Sequence, residues 1–248
     1  MRLNKQKKAH ALPFLIRPWL RRTPLTMLPK FIKPMLAQTA KSPFNSEEHL
    51  FEIKWDGIRC LAFVEAGGLR LQSRHLIEIT SQFPELAPLR RLPSGTVLDG
   101  ELVVLKGGKP CFCEIEKRAL LQNRHRIHFL SQTTPVTYMV FDLLYLAGKP
   151  LMTAPLTVRR KALKELLSPF SLPGVLVPEE IQSHGRSFFS QVAALGLEGI
   201  MAKLLDSPYL AGKRSPAWRK LKVSMISPAE FHFTRNIRNI PQTNHHYE

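Results

Sequence analysis

The sequence predicts a single α+β domain in which antiparallel sheets are flanked by helices. Three observations lead to this prediction. Strand-like segments alternate apolar and polar residues, Gly-Gly turns join several of them, and helical segments are inserted irregularly instead of following every strand. The chain has 248 residues, of which 44% are apolar and 22% are charged, so a substantial core is expected. We find no internal repeat and no sign of a second domain.

Seven segments of the sequence have the pattern of strands, and Gly-Gly turns predict hairpins at two places. The segment 58–66 is followed by Gly67-Gly68, and 96–112 turns about Gly107-Gly108, which predicts a hairpin at each place. The predicted strand regions are "HLFEIKW" at 49–55, "IRCLAFVEA" at 58–66, "LRLQSR" at 69–74, "TVLDGELVVLKGGKPCF" at 96–112, "VTYMVFDLLYL" at 136–146, "GIMAKLL" at 199–205 and "AWRKLKV" at 217–223.

Four segments have the apolar spacing of helices. Thr157 is predicted to cap the third of them, and Gly196 is predicted to end the fourth. The segments are "SQFPELAPLRRL" at 81–92, "FCEIEKRALLQN" at 112–123, "TVRRKALKELL" at 157–167 and "SFFSQVAALG" at 187–196.

Positive charge is the strongest compositional signal. The chain has 36 Lys and Arg against 19 Asp and Glu, a net charge of +17, which indicates a polyanionic partner such as nucleic acid. Residues 1–46 contain no acidic residue, and we expect 1–32 to be a flexible basic arm. Without residues 1–26 the counts are 29 and 19, so +10 remains on the rest. The sequence leaves open whether Met1 or Met27 is the true start.

The cysteines and the hydropathy of the sequence indicate in which cell compartment the protein acts. Cys60, Cys111 and Cys113 are an odd number without Cys-x-x-Cys spacing, which predicts neither a disulfide framework nor a zinc site. No apolar run has the length of a membrane span. Prolines in the arm break any amphipathic transit helix. We therefore expect a cytoplasmic protein without membrane contact.

The segment "FEIKWDGIRC" at 51–60 carries charges at every second position. Glu52, Lys54 and Asp56 would share one face of a strand, opposite Phe51 and Ile53. A solvated surface hairpin and a charged binding cleft both fit this pattern. Gly57 is interpreted as a position where the backbone approaches a ligand closely.

Charged residues recur in other strand segments. In "AWRKLKV", Trp218, Lys220 and Lys222 share a face, where two lysines would repel each other unless solvent or an anion separates them. Glu101 and Glu198 each lie beside a glycine, a setting that suits ribose hydroxyls or a hard cation such as Mg²⁺. Phe141 is suited either to the core or to stacking on a base.

The order of the motifs resembles the catalytic core of ATP-dependent DNA ligases, most closely the ligase module of bacterial end-joining ligases. The resemblance covers residues 33 to about 223, and "KPMLA" at 33–37 is its opening. The motifs are Lys-x-Asp-Gly-x-Arg at 54–59, Ser73-Arg74, "FPEL" at 83–86, "DGEL" at 99–102, "FDLLYL" at 141–146, "EGIMAK" at 198–203 and "WRKLK" at 218–222.

The resemblance implies a nucleotidyltransferase that uses ATP and Mg²⁺ and acts on nicked or broken DNA. Lys54 would attack the α-phosphate of ATP and later pass AMP to a DNA 5′-phosphate. Glu101 and Glu198 would hold the metal ion. The resemblance implies nucleotide-binding roles for Glu52, Arg59, Arg74, Glu101, Phe141, Lys203, Lys220 and Lys222.

The resemblance also implies a domain division and two alternatives. Residues 33–223 would form the adenylation domain, and 224–248 would be a short tail, too short for the OB domain that usually follows. The expected place of action is the bacterial cytosol or nucleoid. One alternative is an RNA ligase or capping-type nucleotidyltransferase. The other is a non-catalytic nucleotide- or DNA-binding partner of an OB-bearing or DNA-end-binding protein.

Overall fold

The structure, a computed structural model, describes residues 27–225, and most of its strands form two sheets. Sheet A has five strands in the spatial order β1 (Leu36–Thr39), β13 (Arg214–Lys222), β12 (Gly199–Leu204), β2 (Ser46–Ile53) and β11 (Ile181–Ser183). All neighbours in sheet A are antiparallel except β1 and β13, which run parallel.

Sheet B has six strands. Its main path runs β10 (Val175–Leu176), β8 (Thr137–Leu146), β5 (Thr96–Val103), β3 (Ile58–Glu65) and β4 (Gly68–Ser73), and β9 (Lys149–Pro150) pairs with β8. Only β10 joins its neighbour in parallel. The predicted turns at Gly67-Gly68 and Gly107-Gly108 are confirmed: the first joins β3 to β4, and the second joins β6 (Leu105–Lys106) to β7 (Lys109–Pro110).

Four α-helices lie among the described residues: α1 (Phe112–Ala119), α2 (Arg124–Thr133), α3 (Leu156–Leu167) and α4 (Gly185–Ala194). Short 3₁₀ segments occur at Thr80–Gln82, Pro84–Arg91 and Val223–Met225. None of these helices is long and apolar enough to cross a membrane. The predicted α+β class with antiparallel sheets is confirmed.

Three apolar clusters hold the layers together. One lies between α4 and sheet A, where Phe189 and Val192 pack near Phe51, Ile200 and Leu221. A second lies on sheet B, where strand residues meet the 3₁₀ segments, Ile115 of α1 and Leu163 of α3. A third joins residues of both sheets, among them Phe141 and Trp218. The two sheets therefore face each other across a shared interior, and the predicted site residues line part of it.

Several local predictions differ from the structure. Residues 81–92 form 3₁₀ turns and not an α-helix, because Pro88 lacks the N–H that an α-helix needs at this point. Thr157 is not the cap of α3: Pro155 holds the N-cap position, and the Thr157 N–H donates to Leu205 O at 3.1 Å. The sequence missed α2, which buries Ile127 as its one apolar anchor and is capped by Asn123.

The ends of the chain are outside the described residues. The first 26 residues of the predicted arm and residues 226–248 of the predicted tail belong to these parts.

Candidate active site

One wall of the site is a face of sheet A. Residues directly opposite each other on neighbouring strands project from the same side of a sheet. The register places Glu52, Met201 and Lys220 in one row, and Leu50, Lys203 and Trp218 in the next. Lys222 lies opposite Gly199, and the Lys54 N–H donates to Gly199 O at 2.9 Å. The prediction that Trp218, Lys220 and Lys222 share a face is therefore confirmed.

The opening stretch of the site departs from the prediction in two ways. Strand β2 ends at Ile53, so Asp56 lies in the following loop and does not belong to a strand face with Glu52 and Lys54. A Cβ on Gly57 would come within 2.1 Å of Leu102 O. Gly57 is therefore needed for close packing of the loop against β5, which the protein itself requires without any ligand.

The opposite wall is formed by sheet B. Arg59 lies opposite Glu101, and Leu61 lies opposite Asp99, so these side chains share one face. The register between β5 and β8 jumps from Asp99–Asp142 to Gly100–Val140, which leaves Phe141 as a bulged residue. Phe141 thereby joins the cluster between the sheets. The site is a cleft between the two walls.

At one end of the cleft, Glu198 bridges two lysines. The Lys54 ammonium donates to Glu198 Oε2, and Lys222 Nζ lies 2.7 Å from Oε1. Lys54 keeps 22% of its side chain exposed, so the amine is accessible from the cleft. Burial acts to raise the pKa of Glu198, but hydrogen bonds from Lys222 and Lys54 outweigh it and hold the pKa below its usual value.

The same end has more cations than carboxylates. Within residues 27–225, Lys220 and Arg74 have no carboxylate within ion-pair distance. Burial lowers the pKa of Lys220, and the charges of Lys222, Arg214, Lys54 and Arg74 lower it further. We call this group of Lys54, Lys220, Lys222 and Arg74, with Glu198, the phosphate end, because it presents surplus positive charge.

A cavity adjoins Arg74 at the rim of the phosphate end. Its volume is about 260 Å³, and it contains Lys33, Pro34, Leu36, Arg74, His75, Leu76 and Gly212 in its wall. Arg74 is exposed, so its guanidinium can reach a ligand from this side. The walls supply basic groups and no carboxylate.

At the other end of the cleft, charges are buried and balanced. Glu52 is 3% exposed and contacts the ammonium of Lys203, which is 1% exposed. Arg160 of α3 reaches into the same place, with Nη1 at 3.6 Å from Glu52 Oε2. Arg160 also donates to Phe141 O at 3.0 Å, to Pro178 O at 3.0 Å and to Glu180. We call Glu52, Lys203, Arg160 and Glu180 the base end, where "base" stands for the nucleobase of a nucleotide and not for basic charge.

The base end retains an unused hydrogen-bonding atom. Glu52 Oε2 is buried and accepts no hydrogen bond from the described residues. Burial lowers the pKa of Lys203, although the charge of Glu52 opposes the shift. A buried carboxylate oxygen without a donor costs free energy, so a ligand that donates to it would be favoured.

Arg59 and Phe141 lie between the two ends. Arg59 forms a two-point ion pair with the fully buried Asp99, with distances of 2.5 and 2.6 Å, and the Tyr209 hydroxyl donates to the same carboxylate at 2.6 Å. The Phe141 ring has Arg59 Cζ at 4.7 Å and Lys203 Nζ at 4.0 Å from its centroid. Phe141 is 7% exposed, so the protein's own cations cover most of the ring.

The carboxylates near Lys54 are suited to share a hard cation with a ligand. Burial raises the pKa of Glu101 to about 7, against the opposing charges of Arg59 and Lys54. Burial and the charge of Glu198 raise the pKa of Asp56. Within residues 27–225, no three metal-ligand atoms of this region lie within 4.8 Å of one another. Mg²⁺ commonly takes one or two carboxylates together with substrate phosphates and water, and Glu101 and Glu198 can supply such carboxylates.

Sequence reasoning missed several members of the site. Asp99 and Tyr209 fix the Arg59 guanidinium, and Arg160 and Glu180 support Glu52. Asp99 belongs to the "DGEL" motif, which was a signal that could have been used. Arg160 lies in a helix that reads as an ordinary basic surface helix, so only the tertiary structure reveals it.

Comparison with known proteins identifies the family. The ATP dependent DNA ligase domain family matches residues 34–222. The SPbeta prophage-derived DNA ligase-like protein LigB of Bacillus subtilis is 38% identical over 194 residues, which are 77% of this chain and 67% of LigB. The multifunctional non-homologous end joining DNA repair protein LigD of Mycobacterium tuberculosis is 36% identical over 195 residues, 77% of this chain but 24% of LigD.

A solved structure agrees with this result. The mycobacterial DNA ligase D complexed with ATP and MES superposes with a TM-score of 0.65 at 33% identity, covering 77% of this chain and 60% of that one. This chain thus spans about a quarter of the full LigD and two thirds of LigB. The predicted resemblance is confirmed, and the chain belongs to the ATP-dependent DNA ligase family, whose adenylation domain it contains.

Proposed function

We propose that this chain adenylates itself on Lys54 with ATP and transfers the AMP to a 5′-phosphate in DNA, so that a break is sealed. The observation that carries the proposal is the position of Lys54: a partly exposed lysine, held by Glu198 and close to Lys220, which has no carboxylate within ion-pair distance among residues 27–225. Such cations are suited to the phosphates of a nucleotide and of DNA.

The proposed reaction has three steps. The Lys54 amine forms a bond to the α-phosphorus of ATP while the bond to pyrophosphate breaks, and the amine loses a proton. The DNA 5′-phosphate then displaces the lysine from AMP, forming a pyrophosphate link. Finally the 3′-hydroxyl attacks that 5′-phosphate, AMP leaves, and a phosphodiester bond joins the strands.

Activation of Lys54 needs the neutral amine. A free lysine is about 3.4 pKa units too basic at pH 7, equivalent to about 4.6 kcal/mol. In this structure Glu198 stabilises the ammonium through a direct ion pair. Once Glu198 turns away, Lys54 is left beside Lys222 and Lys220. In general, neighbouring cations disfavour a further positive charge. Release from Glu198 is therefore the event that activates the nucleophile.

A magnesium ion fits this arrangement. Glu198 and Glu101 are the residues that would hold it. Bound there, Mg²⁺ would neutralise charge on the phosphates during displacement. Glu198 would then exchange its two lysine partners for the cation, which links metal binding to the freedom of Lys54.

The base end is proposed to hold adenine. Glu52 Oε2 lacks a donor, and the exocyclic amine of adenine can provide one. Arg59 and Glu101 lie opposite each other between the two ends, where the ribose hydroxyls would lie. Stacking of adenine on Phe141 requires that Lys203 or Arg59 move from the ring, because both cover it.

The phosphate contacts are proposed for Lys220, Lys222 and Arg74. Lys203 is different, because it lies buried against Glu52 at the base end. Lys203 would reach a phosphate oxygen only after leaving Glu52. We therefore infer that Lys203 mainly neutralises Glu52 before the nucleotide binds.

The DNA substrate is a proposal that rests on the family and on charge. The net charge of +17 favours binding to the phosphate backbone without regard to base sequence. LigD is named as an end-joining repair protein, and we propose a similar role in DNA break repair here. A DNA-end-binding or OB-bearing partner would raise the local concentration of the break. The proposed place of action is the bacterial cytosol or nucleoid.

Nick sealing tests the proposed function. The protein should join a nicked duplex with ATP and Mg²⁺, and Lys54→Ala should not, whereas the matched surface variant Lys117→Ala should seal like the wild type. A pre-adenylated nick should still be sealed by Lys54→Ala, because that substrate already carries AMP on the 5′-phosphate and bypasses the first two steps. Failure of the wild type on both substrates would support a non-catalytic binding protein, and preference for a nick in RNA would support the RNA ligase alternative.

The contribution of the basic arm can be measured separately. A chain starting at Met27 has seven fewer basic residues and should bind DNA more weakly, with a shallower dependence of log K on log salt. Equal slopes with and without residues 1–26 would show that the arm does not contact DNA.

A further inference from the structure

Two thiols and a carboxylate meet where the β6–β7 hairpin enters α1. Cys111 Sγ and Cys113 Sγ are 3.3 Å apart. With a carboxylate oxygen of Glu114, they form a group of three metal-ligand atoms that all lie within 4.8 Å of one another. Cys113 is exposed, and the other two residues are partly exposed, so solvent ions can reach the group.

The backbone around the group is held by hydrogen bonds. The Cys111 N–H donates to Val104 O at 2.8 Å, which ties the group to the end of β5. The Glu114 N–H donates to Cys111 O at 3.1 Å and closes the first turn of α1. The backbone that carries the three donors is therefore held in place by the fold.

We propose that Cys111, Cys113 and Glu114 form a binding site for a thiophilic divalent cation of the Zn²⁺ type. Tetrahedral zinc with Zn–S bonds near 2.3 Å places two sulfurs about 3.8 Å apart. The observed 3.3 Å needs only a small opening of the pair. Three protein ligands leave a fourth position, which water or another ligand fills.

Metal binding would break ion pairs between Glu114 and neighbouring lysines, at a small cost in free energy. Glu114 now pairs with Lys106 at 3.0 Å and with Lys117 at 3.5 Å, and these lysines are 56% and 70% exposed. Exposed ion pairs contribute little to stability, so a metal ion can displace them. The sequence predicted no zinc site because three cysteines without Cys-x-x-Cys spacing are not a zinc pattern. The contribution of Glu114 appears only in the structure.

Binding exchanges protons for the metal. Both thiols lose a proton, two metal–sulfur bonds form, and the Glu114 carboxylate adds the third bond. Metal affinity should therefore rise with pH, and binding should release about two protons.

The test is a Co²⁺ titration of the full chain, kept reduced with a reductant that does not bind metal. We expect one Co²⁺ per chain with the intense visible bands of a tetrahedral site and a thiolate-to-cobalt transition in the near ultraviolet, all bleached by added Zn²⁺. Cys111→Ser and Cys113→Ser should each remove the thiolate transition. Glu114→Gln should weaken binding about tenfold or more, and its neighbour on the same helix, Glu116→Gln, should not.

Each other outcome overturns the proposal. Absence of the thiolate transition, or its survival in both serine variants, would show that the thiols are not ligands. Equal affinity of Glu114→Gln and wild type would remove the carboxylate from the site. Metal-dependent dimerisation in analytical ultracentrifugation would show that thiols of two chains share the ion. The buried Cys60 is an internal control, since it stays in every variant.

Discussion

The two ends of the cleft differ in their balance of positive and negative charge. At the base end, the carboxylates of Glu52 and Glu180 are matched by Lys203 and Arg160, and all but Glu180 are at most 3% exposed. At the phosphate end, Glu198 is the carboxylate that faces Lys54 and Lys222, while Lys220 and Arg74 have no such partner among residues 27–225. At the base end, positive and negative charges balance before a ligand binds. At the phosphate end, the surplus positive charge would be balanced by the ligand.

The difference follows from burial. A buried charge that lost its partner would cost several kcal/mol, so the base end must carry its own counter-charges. The phosphate end remains partly open to water, which screens its surplus charge at a modest cost. The comparison predicts that losing a cation destabilises the fold at the base end, whereas at the phosphate end it weakens ligand binding.

The largest expected effect comes from Glu198, the bridge at the phosphate end. Glu198→Gln should slow adenylation of Lys54 by about 100-fold or more at limiting Mg²⁺, because a metal ion contributes several kcal/mol to charge stabilisation. Stability should fall by no more than about 1 kcal/mol, because both ion pairs of Glu198 are partly exposed. The measurement is the initial rate of label incorporation from ATP across a Mg²⁺ titration, with the exposed Glu47→Gln as control. Identical titration curves for Glu198→Gln and wild type would remove Glu198 from the metal site.

Arg160→Met tests the base end. It removes the buried cation that Glu52 and Glu180 share, so that Glu52 keeps Lys203 and Glu180 keeps the exposed Lys164. The loss should lower the free energy of unfolding by about 3 kcal/mol or more. The neighbouring exposed Lys161→Met should change it by less than about 0.5 kcal/mol. Urea unfolding measures both. A wild-type midpoint for Arg160→Met would mean that the base end does not depend on its internal counter-charges.

The same variant should also affect nucleotide choice. Arg160 restrains Glu52, so its loss should reduce the preference for ATP over GTP in Lys54 labelling by about tenfold, equivalent to ~1.4 kcal/mol. A change in total rate with unchanged preference would mean that Arg160 acts through stability alone.

Lys220 and Lys222 lie on the same strand but differ in their partners. Lys222 pairs with Glu198, whereas Lys220 has no carboxylate within ion-pair distance among residues 27–225. Lys220→Met removes an unmatched charge and should leave the free energy of unfolding unchanged or raise it by up to about 1 kcal/mol, while KM for ATP rises. Lys222→Met removes the ion pair with Glu198 and should lower it by a similar amount. Chemical unfolding of both variants without nucleotide is the measurement. Equal destabilisation by the two would contradict the distinction.

The smallest effect is a pH dependence at Glu180. Burial opposes ionisation of Glu180, but hydrogen bonding by Lys164 and the charge and hydrogen bond of Arg160 outweigh it and lower the pKa below 4.5. A lowered folded pKa gives stability above the unfolded value that is lost as pH falls. The stability difference between wild type and Glu180→Gln should therefore be constant from pH 7 to about pH 5 and shrink as pH falls below about 4.5, through the lowered pKa of the folded state. The exposed Glu179→Gln should show no such trend, and a pH-independent difference for Glu180→Gln would contradict the assigned ion pairs.

The sequence predicted those parts of the fold that depend on local signals. Alternating strands and Gly-Gly turns gave the β3–β4 and β6–β7 hairpins, and the shared face of Trp218, Lys220 and Lys222 followed from strand geometry. Helix α2 was missed because it is anchored by one buried residue, Ile127, so its apolar pattern is weak. Pro88 should have ruled out an α-helix at 81–92.

The site was predictable only in part for a physical reason. Motif order predicted site roles for Lys54, Glu101 and Glu198, and the structure brings these residues close to one another, while their roles stay predictions. The supporting residues Arg160, Glu180 and Tyr209 come from distant segments and meet the site through tertiary packing. The buried position of Lys203 likewise depends on the facing sheet, which a strand pattern does not specify.

The central claim is that Lys54 becomes covalently linked to AMP, and intact-mass spectrometry tests it directly. Pure protein incubated with ATP and Mg²⁺ should gain the mass of one adenylyl group, and fragmentation should locate it on the Lys54 side chain. Lys54→Arg should gain none, because its guanidinium stays protonated. Label that persists in Lys54→Arg, or that maps to Lys220 or Lys222, would contradict the account.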